Sequence, residues 1–424
     1  MNRGFVLKGD ICDSRAGGAL NTVQDGYVVC VDGISQGVFH ELPEAFTHLP
    51  LIDCSHHMIV PGLVDLHTHA PQYAYRALGM DLELLDWLNT YTFPEETRYG
   101  DLAYALAQYE RIAQDLRRGP NTRCVLFGTV HLPATELLME LMEKTGLITL
   151  VGKVNMDRNA PDTLAEKDAQ QSLSNTRLWL EHCKGRFTRT GPILSPRFIP
   201  SCSDQLMEGL AELQEQEGLP LQSHLSENPK ECSWVGELCP ASGSYTQAYA
   251  RFGMIAPGRR TVMAHCVWCK PEEIQLLKES GTFVAHCPQS NANLASGIAP
   301  LRTYLREGLS VGLGSDIAGG AHSSIFRAMS DAIQFSKLRW RLTDDSLAPL
   351  TVAEAFYLGT RGGGAFFGKV GSFEEGYEMD ALVIDDSDLT TPCVRSLEDR
   401  LSRIIYLSDE RQILHKFVRG ERLF

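Results

Sequence analysis

The sequence predicts an α/β fold, a (β/α)8 barrel of the TIM type with a small β-sandwich domain formed by the N- and C-terminal segments. Eight short apolar segments alternate with amphipathic helical stretches, several of them end in polar residues, and both chain ends contain short β-like segments. At 424 residues, the chain has room for one large barrel and a small additional domain. A doubly wound open sheet is the competing fold, but no glycine-rich dinucleotide-binding loop follows the first strand.

The eight predicted barrel strands are compact apolar segments separated by longer helical patterns. They span residues 58–67, 123–131, 147–154, 192–198, 220–225, 261–267, 282–287 and 310–315. The stretch 271–281 illustrates the helices between them, since its apolar residues recur at helical spacing and it ends in glycine. Strands that alternate with helices imply a parallel sheet, and eight is the number that closes a barrel.

The two chain ends have a different pattern from the middle. Short β-like segments occur at 26–33, 380–385, 404–407 and 416–420. We therefore expect three parts of the chain. Residues 1–57 and 369–424 form the β-sandwich domain together, and residues 58–368 form the catalytic barrel.

Composition narrows the range of partners and compartments. The formal net charge of −14 makes a nucleic-acid polymer or an anionic membrane surface an unfavourable partner. No run of about 18 apolar residues predicts a membrane span, and the first residues lack the apolar core of a signal peptide. The twelve cysteines are spread from Cys12 to Cys393, several inside apolar strands, which favours reduced thiols in a cytoplasmic protein.

Polar residues at the ends of four predicted strands suggest a metal site. Strand one ends in His67-Thr-His69, strand five in His224, strand six in His265, and strand eight in Asp316. The carboxyl ends of barrel strands share one rim, and residues two apart on a strand point to the same face. Three imidazoles and one carboxylate suit a single Zn²⁺ per subunit, with Fe²⁺ as the alternative metal. Cys266-x-x-Cys269 resembles half of a zinc site, but no second cysteine pair has the matching spacing.

This metal site predicts hydrolytic chemistry. A bound divalent ion lowers the pKa of a water molecule from about 15.7 to about 7. Asp316 is the candidate acceptor of the water proton, and Glu227, three residues after His224, is the candidate proton shuttle. A solvent-facing loop glutamate is the alternative interpretation of Glu227. His265, at the end of strand six, is placed to hold the water and to stabilise a developing alkoxide.

The motifs that carry these residues resemble the metal-dependent amidohydrolase superfamily. They are Pro-Gly-Leu-Val-Asp-Leu-His-Thr-His at 61–69, His-Leu-Ser-Glu at 224–227, the strand of His265, and Gly-Ser-Asp at 314–316. The resemblance covers nearly the whole chain, including the terminal β segments. In this superfamily a lysine on the fourth strand bridges two metals in binuclear members, and the fourth strand here has none, which implies one metal.

Further segments resemble the members of this superfamily that deaminate guanine. They lie at 70–73, 81–88, 91–96, 195–198, 286–291 and 316–320. The resemblance implies a zinc-dependent conversion of guanine to xanthine and ammonia, commonly in a homodimer, with Gln72, Arg197 and Phe198 recognising the base. Arginine carries only donors and so suits the C6 carbonyl of guanine, whereas adenine would present a donor there.

Two other hypotheses stay open at this level. One is a deaminase or dechlorinase for another heterocycle, such as a triazine, 8-oxoguanine or a nucleoside. The other is a catalytically inactive scaffold, which the complete set of metal and proton-transfer candidates argues against. Trp87 is equally compatible with the pocket wall and with a helix core.

Overall fold

The computed structural model describes residues 4–389 and 391–424 as a mixed α/β chain. Its strands are β1 Gly4–Ser14, β2 Leu20–Val31, β3 Ile34–Phe39, β4 Leu51–Pro61, β5 Leu63–His69, β6 Asn121–Phe127, β7 Ile148–Gly152, β8 Val154–Asn155, β9 Thr190–Pro192, β10 Ser195–Pro196, β11 Leu221–Leu225, β12 Thr261–His265, β13 Phe283–His286, β14 Val311–Leu313, β15 Ala381–Ile384, β16 Ile413–Val418 and β17 Glu421–Arg422. Its α-helices are α1 Leu84–Trp87, α2 Phe93–Thr97, α3 Leu102–Arg118, α4 Leu132–Thr145, α5 Ala169–Cys183, α6 Asp204–Glu217, α7 Pro229–Leu238, α8 Tyr245–Arg251, α9 Pro271–Ser280, α10 Pro288–Asn293, α11 Leu301–Glu307, α12 Ile325–Leu342, α13 Val352–Tyr357 and α14 Leu397–Leu407.

The central strands are parallel and form a fold of the TIM-barrel type. One sheet has the order β5-β6-β7-β9, a second has the order β11-β12-β13-β14, and the short strands β8 and β10 pair with each other. A parallel bridge between Leu194 and Leu221 links the first sheet to the second. The backbone N–H of Asp316 donates to the carbonyl of His67 at 2.9 Å, which joins the chain after β14 to β5. The carboxyl ends of these strands therefore face one common rim.

The first barrel strand begins later than the sequence suggests. The predicted strand 58–67 is divided at Pro61, because Met58–Pro61 pairs with β15 in another sheet and β5 starts at Leu63. Proline lacks the N–H that would continue the ladder. At Gly62, a Cβ atom would lie 2.3 Å from the Thr122 side chain, so the chain passes too closely for a larger residue. The other seven predicted strands fall on β6, β7, β9 with β10, and β11 to β14.

Both terminal segments contribute to one seven-stranded sheet, in the order β17-β16-β15-β4-β1-β2-β3. The chain just before β15 approaches the β3 end of this sheet, since the N–H of Met379 donates to the carbonyl of Gly33, between β2 and β3, at 2.8 Å. The rings of Phe5 and Phe417 also stack, with centroids 5.0 Å apart. The sheet thus encloses an apolar cluster that includes Ile11 and Val383.

One predicted β segment is wrong. Residues 404–407 belong to helix α14, whose N-terminus is capped by the Ser396 side chain accepting from the N–H of Asp399. Leu401, Ile404 and Ile405 are its buried residues, which is the spacing of one helical face. A four-residue window that begins with two isoleucines favours a strand, and only the longer helical period reveals the helix.

Two further expectations concern cysteines and membranes. All twelve cysteines are free thiols, and most are buried. In the part of the chain that the structure describes, no helix is both long enough and apolar enough to cross a membrane.

Candidate active site

The four predicted metal ligands converge at the carboxyl-terminal rim of the parallel strands. His67 Nε2 and His69 Nε2 lie 3.1 Å and 3.4 Å from Asp316 Oδ1, and His69 Nε2 lies 3.1 Å from His224 Nε2. All four side chains are buried. The Nε2 atom of His67 makes no hydrogen bond within the described residues, although it is enclosed by the protein. Buried nitrogen and oxygen donors that converge on one point fit a divalent cation.

Neighbouring groups orient these ligands. The Nδ1 atom of His224 lies 2.6 Å from the carbonyl oxygen of Arg197, which assigns the proton to Nδ1 and leaves the Nε2 lone pair for the centre. Asp65 accepts from the backbone N–H groups of His67 and Ser315 at 3.2 Å and 3.0 Å, and from the Ser315 hydroxyl at 2.5 Å. Asp65 therefore ties the end of β5 to the segment that carries Asp316. Burial raises the pKa of Asp65 to about 7.

The protonation states suit metal ligation. Burial and the neighbouring imidazoles hold the pKa values of His69 and His224 well below the ordinary histidine value, so both rings are neutral ligands. Burial alone would raise the pKa of Asp316, but His67 and His265 outweigh it and hold that pKa well below the ordinary value. The centre therefore combines the neutral imidazoles of His69 and His224 with one ionised carboxylate.

Glu227 and His265 stand beside this cluster as a pair. Glu227 Oε2 lies 3.4 Å from His265 Nε2, and the Ser296 hydroxyl donates to Glu227 Oε1 at 3.3 Å. His265 Nδ1 lies 2.9 Å from Asn291 Oδ1, so the Asn291 amide oxygen accepts the Nδ1 proton. Burial, followed by Glu231 and Asp316, raises the pKa of Glu227 well above the ordinary value. Glu227 thus holds its proton more tightly than an exposed glutamate does.

The backbone adopts sparsely populated conformations at this rim. Ser226, His265 and Asp316 have φ values of 49°, 72° and 46°, in the left-handed region that non-glycine residues rarely occupy. Such strain persists where the surrounding structure fixes the side-chain direction, and it concentrates at functional sites. Two of these residues, His265 at the end of β12 and Asp316 after β14, carry side chains that face the centre.

A cavity opens beside the cluster. Its walls are formed by His69, Gln72, Leu84, Trp87, Leu88, Arg197, Phe198, His224, Glu227, Glu231, His265, Leu294 and Asp316. The three predicted base-recognition residues thus share one cavity with the proton-transfer candidates. His67 is not part of the cavity wall, but it contacts Asp316, which is. The solvent-facing alternative for Glu227 is wrong, because this side chain is 4% exposed. Trp87 both lines the cavity and is buried.

Sequence reasoning missed Glu96. Both of its carboxylate oxygens accept from the Arg197 guanidinium, at 2.6 Å and 3.2 Å, and Oε1 also accepts from Gln72 Nε2 at 2.9 Å. The adjacent Glu95 instead contacts Tyr104 and Arg98, outside the cavity. Two consecutive glutamates in a short helix carry no signal that distinguishes them.

Glu231 was missed as well. It accepts from the backbone N–H groups of Glu227 and Asn228 and from the Tyr245 hydroxyl, and so holds the turn that aims Glu227. The sequence signal that could have identified it is the capping box of α7, in which Glu231 stands three residues after the N-cap residue Asn228.

A TIM-type fold with histidine and aspartate ligands at the carboxyl ends of its strands is typical of metal-dependent hydrolases. The model of the amidohydrolase family matches residues 58–423. The chain belongs to the amidohydrolase family.

Individual relatives are similar over nearly the whole length. The guanine deaminase of Dictyostelium discoideum is 39% identical over 382 residues, covering 88% of this chain and 84% of the relative. That of Escherichia coli K12 is 32% identical over 425 residues, covering 96% and 92%. A crystal structure of guanine deaminase from C. acetobutylicum, with guanine bound in its active site, is 43% identical, with a TM-score of 0.96 and coverage of 99% of this chain and 100% of that one.

Proposed function

We propose that this protein is a guanine deaminase, a hydrolase that converts guanine and water to xanthine and ammonia in purine breakdown. The observation that carries the proposal is one cavity that brings together the candidates for base recognition and those for proton transfer. Arg197 and Gln72 form a hydrogen-bonding wall beside the metal-ligand cluster, and Glu227 faces the same space. Similarity to guanine deaminases over nearly the whole chain supports the same substrate.

We assign one Zn²⁺ per subunit to His67, His69, His224 and Asp316, with Fe²⁺ as the competing metal. The donor set supports this assignment, since three imidazole nitrogens and one carboxylate oxygen suit zinc. When bound, the ion supplies Lewis acidity that lowers the pKa of a water molecule to about 7.

The protein's own residues then direct the proton transfers. Asp316 accepts a proton from the attacking water as its oxygen bonds to C2 of the ring. Glu227 delivers its proton to the adjacent ring nitrogen, takes up the proton of the hydroxyl group added at C2, and passes it to the exocyclic amine, which leaves as ammonia while the C2 carbonyl forms. The proton held by Asp316 then returns to Glu227. His265, held by Asn291, donates towards the oxygen on which negative charge develops.

Recognition of guanine follows from the donors on the cavity wall. The Arg197 guanidinium offers only N–H groups, so it pairs with the C6 carbonyl oxygen. Adenine has an amino group at that position, which would leave buried donors facing each other and can lower the rate by orders of magnitude. Phe198 is placed to lie against the ring face.

The wider organisation belongs to the same proposal. We assign residues 58–368 to a closed eight-stranded barrel, and residues 1–57 and 369–424 to a β-sandwich domain. The bridge at Leu194 and the hydrogen bond from Asp316 to His67 support closure of the barrel, and the curled terminal sheet supports two β layers. Twelve free cysteines support a cytoplasmic location. The family resemblance implies a homodimer, which light scattering tests.

The experiment is ammonia release by purified protein of known metal content, offered guanine, adenine, 8-oxoguanine, guanosine, cytosine and a triazine separately. We expect rapid release from guanine, with stoichiometric xanthine and no turnover of adenine. Turnover of another ring without guanine would replace the substrate assignment. No turnover of any ring by metal-loaded protein would favour the inactive scaffold.

A further inference from the structure

Glu96 connects the two polar groups that form the recognition wall of the cavity. It lies in α2, whereas Gln72 follows β5 and Arg197 follows β10, so three separate segments meet at one carboxylate. Glu96 is 2% exposed and Arg197 is 3% exposed. Within the described residues, the hydrogen bonds of the Arg197 guanidinium all go to Glu96. The Arg197 and Glu96 charges therefore form a closed, buried ion pair.

This pair makes the recognition wall electrically neutral. A buried guanidinium without a partner would be strongly unfavourable, and it would attract an anion into the cavity. With Glu96 in contact, Arg197 keeps three of its five N–H groups for other partners but carries no uncompensated charge. The wall can therefore donate hydrogen bonds without selecting for negative charge.

Glu96 also fixes the direction of the Gln72 amide. Gln72 Oε1 accepts from the backbone N–H of Ala318 at 3.1 Å, and its Nε2 donates to Glu96 at 2.9 Å. A flipped amide would place two donors together at Ala318 and two acceptors together at Glu96. One N–H group and one lone pair of Gln72 remain for a ligand, in a fixed order along the wall.

We propose that Glu96 is a positioning residue that sets the substrate class of this cavity. It restricts binding to neutral rings that present a carbonyl oxygen to Arg197 and prevents Arg197 from favouring anionic rings. This inference rests on the proposed function, because it takes the wall formed by Arg197 and Gln72 as the surface that recognises the base.

The test compares two non-reacting 6-oxopurines at one neutral pH by calorimetry. Hypoxanthine is a neutral ring, and urate is an anion at that pH. In Glu96→Gln, which keeps the size and one acceptor oxygen of the side chain, the ratio of the two dissociation constants should shift towards urate by about tenfold or more relative to wild type. The value of kcat/KM for guanine should fall by about 10²–10³-fold, mainly through KM.

The matched control is Glu95→Gln, the same change one residue earlier in α2, at a side chain that contacts Tyr104 and Arg98 instead. It should leave the ratio of dissociation constants unchanged. An unchanged ratio in folded, metal-loaded Glu96→Gln would overturn the proposal.

Two further variants keep the test decisive if Glu96→Gln does not fold. Arg197→Gln leaves Glu96 unpaired, so it should bind urate about tenfold more weakly, relative to hypoxanthine, than the double variant Arg197→Gln/Glu96→Gln. Equal ratios in these two variants would also overturn the proposal. Wild-type ammonia release from guanine is measured on the same preparation. Its absence would refute the proposed function, whereas the binding ratios test Glu96 independently of turnover.

Discussion

Replacing Glu227 with glutamine tests the proton transfers most directly. The substitution keeps the size of the side chain and an oxygen that can accept from the Ser296 hydroxyl, but it removes the transferable proton. Glu227 is 4% exposed, and burial raises its pKa well above the ordinary value, so the folded protein gains nothing from ionising it. We therefore expect Glu227→Gln to fold with an unchanged or higher melting temperature.

The expected loss of activity is large. Removing a positioned general acid and base costs about 10²–10⁴-fold in rate. A factor of this size equals about 2.7–5.4 kcal/mol in activation free energy. The loss should appear mainly in kcat, since Arg197, Gln72 and Phe198 still hold the ring. Initial rates of ammonia release from guanine measure it, with metal content determined by elemental analysis on the same sample.

The matched control is Glu237→Gln. Glu237 is an exposed glutamate in helix α7, which begins two residues after Glu227. This variant should have the kinetic constants of wild type. Unchanged turnover in Glu227→Gln with a full metal complement would remove Glu227 from the mechanism. A lost metal complement would instead assign Glu227 a role in metal retention, contrary to the ligand set.

Three other substitutions probe the metal centre, the contact between barrel and terminal sheet, and a half-buried acid. Asp316→Ala should abolish ammonia release and lower the bound metal below one ion per chain, and elemental analysis showing full occupancy would contradict this ligand assignment. Asp380 accepts from Arg123 Nε at 2.7 Å and from a terminal nitrogen of the same guanidinium at 3.0 Å. Asp380→Asn should therefore reduce the free energy of unfolding, measured in urea, by about 3–5 kcal/mol. A loss under about 1 kcal/mol would show that the pair contributes little to stability. Burial raises the pKa of Asp331 from 3.8 to about 6, with Arg327 only partly opposing it. Because the folded state then holds this proton more tightly than the unfolded chain, stability falls as pH rises from 3.8 to about 6. Asp331→Asn should raise the melting temperature above this range and leave it unchanged below it, and an equal shift at both ends of a pH series would contradict the linkage.

The metal centre could be predicted because strands determine it. His67, His69 and His224 each lie at or near the end of an apolar strand, and the alternation of strands with helices places those ends on one rim. The period of two along a strand then sets the direction of His67 and His69. None of these inferences requires knowledge of a loop conformation.

The recognition wall could be predicted only in part, because loops and short helices determine it. The contact between Glu96 and Arg197 spans 101 residues, and no periodicity places α2 against the segment after β10. The resemblance to guanine-deaminating relatives implied Arg197 and Gln72, but not the carboxylate between them. The role of Asp65 could not be predicted for a related reason. An aspartate inside an apolar strand gives no sign that its partner is Ser315, 250 residues later.

This division between strands and loops has a consequence for changes of substrate. The ligand cluster is fixed by strand ends and by Asp65, so the hydrolytic chemistry can persist while the surrounding loops vary. The recognition wall cannot vary one residue at a time, because Arg197 and Glu96 neutralise each other in a buried site. Replacing either one alone leaves an uncompensated charge, whereas replacing both removes the charge and the donors together. A change from guanine to a ring without a carbonyl oxygen at this position therefore requires Arg197 and Glu96 to change as a pair.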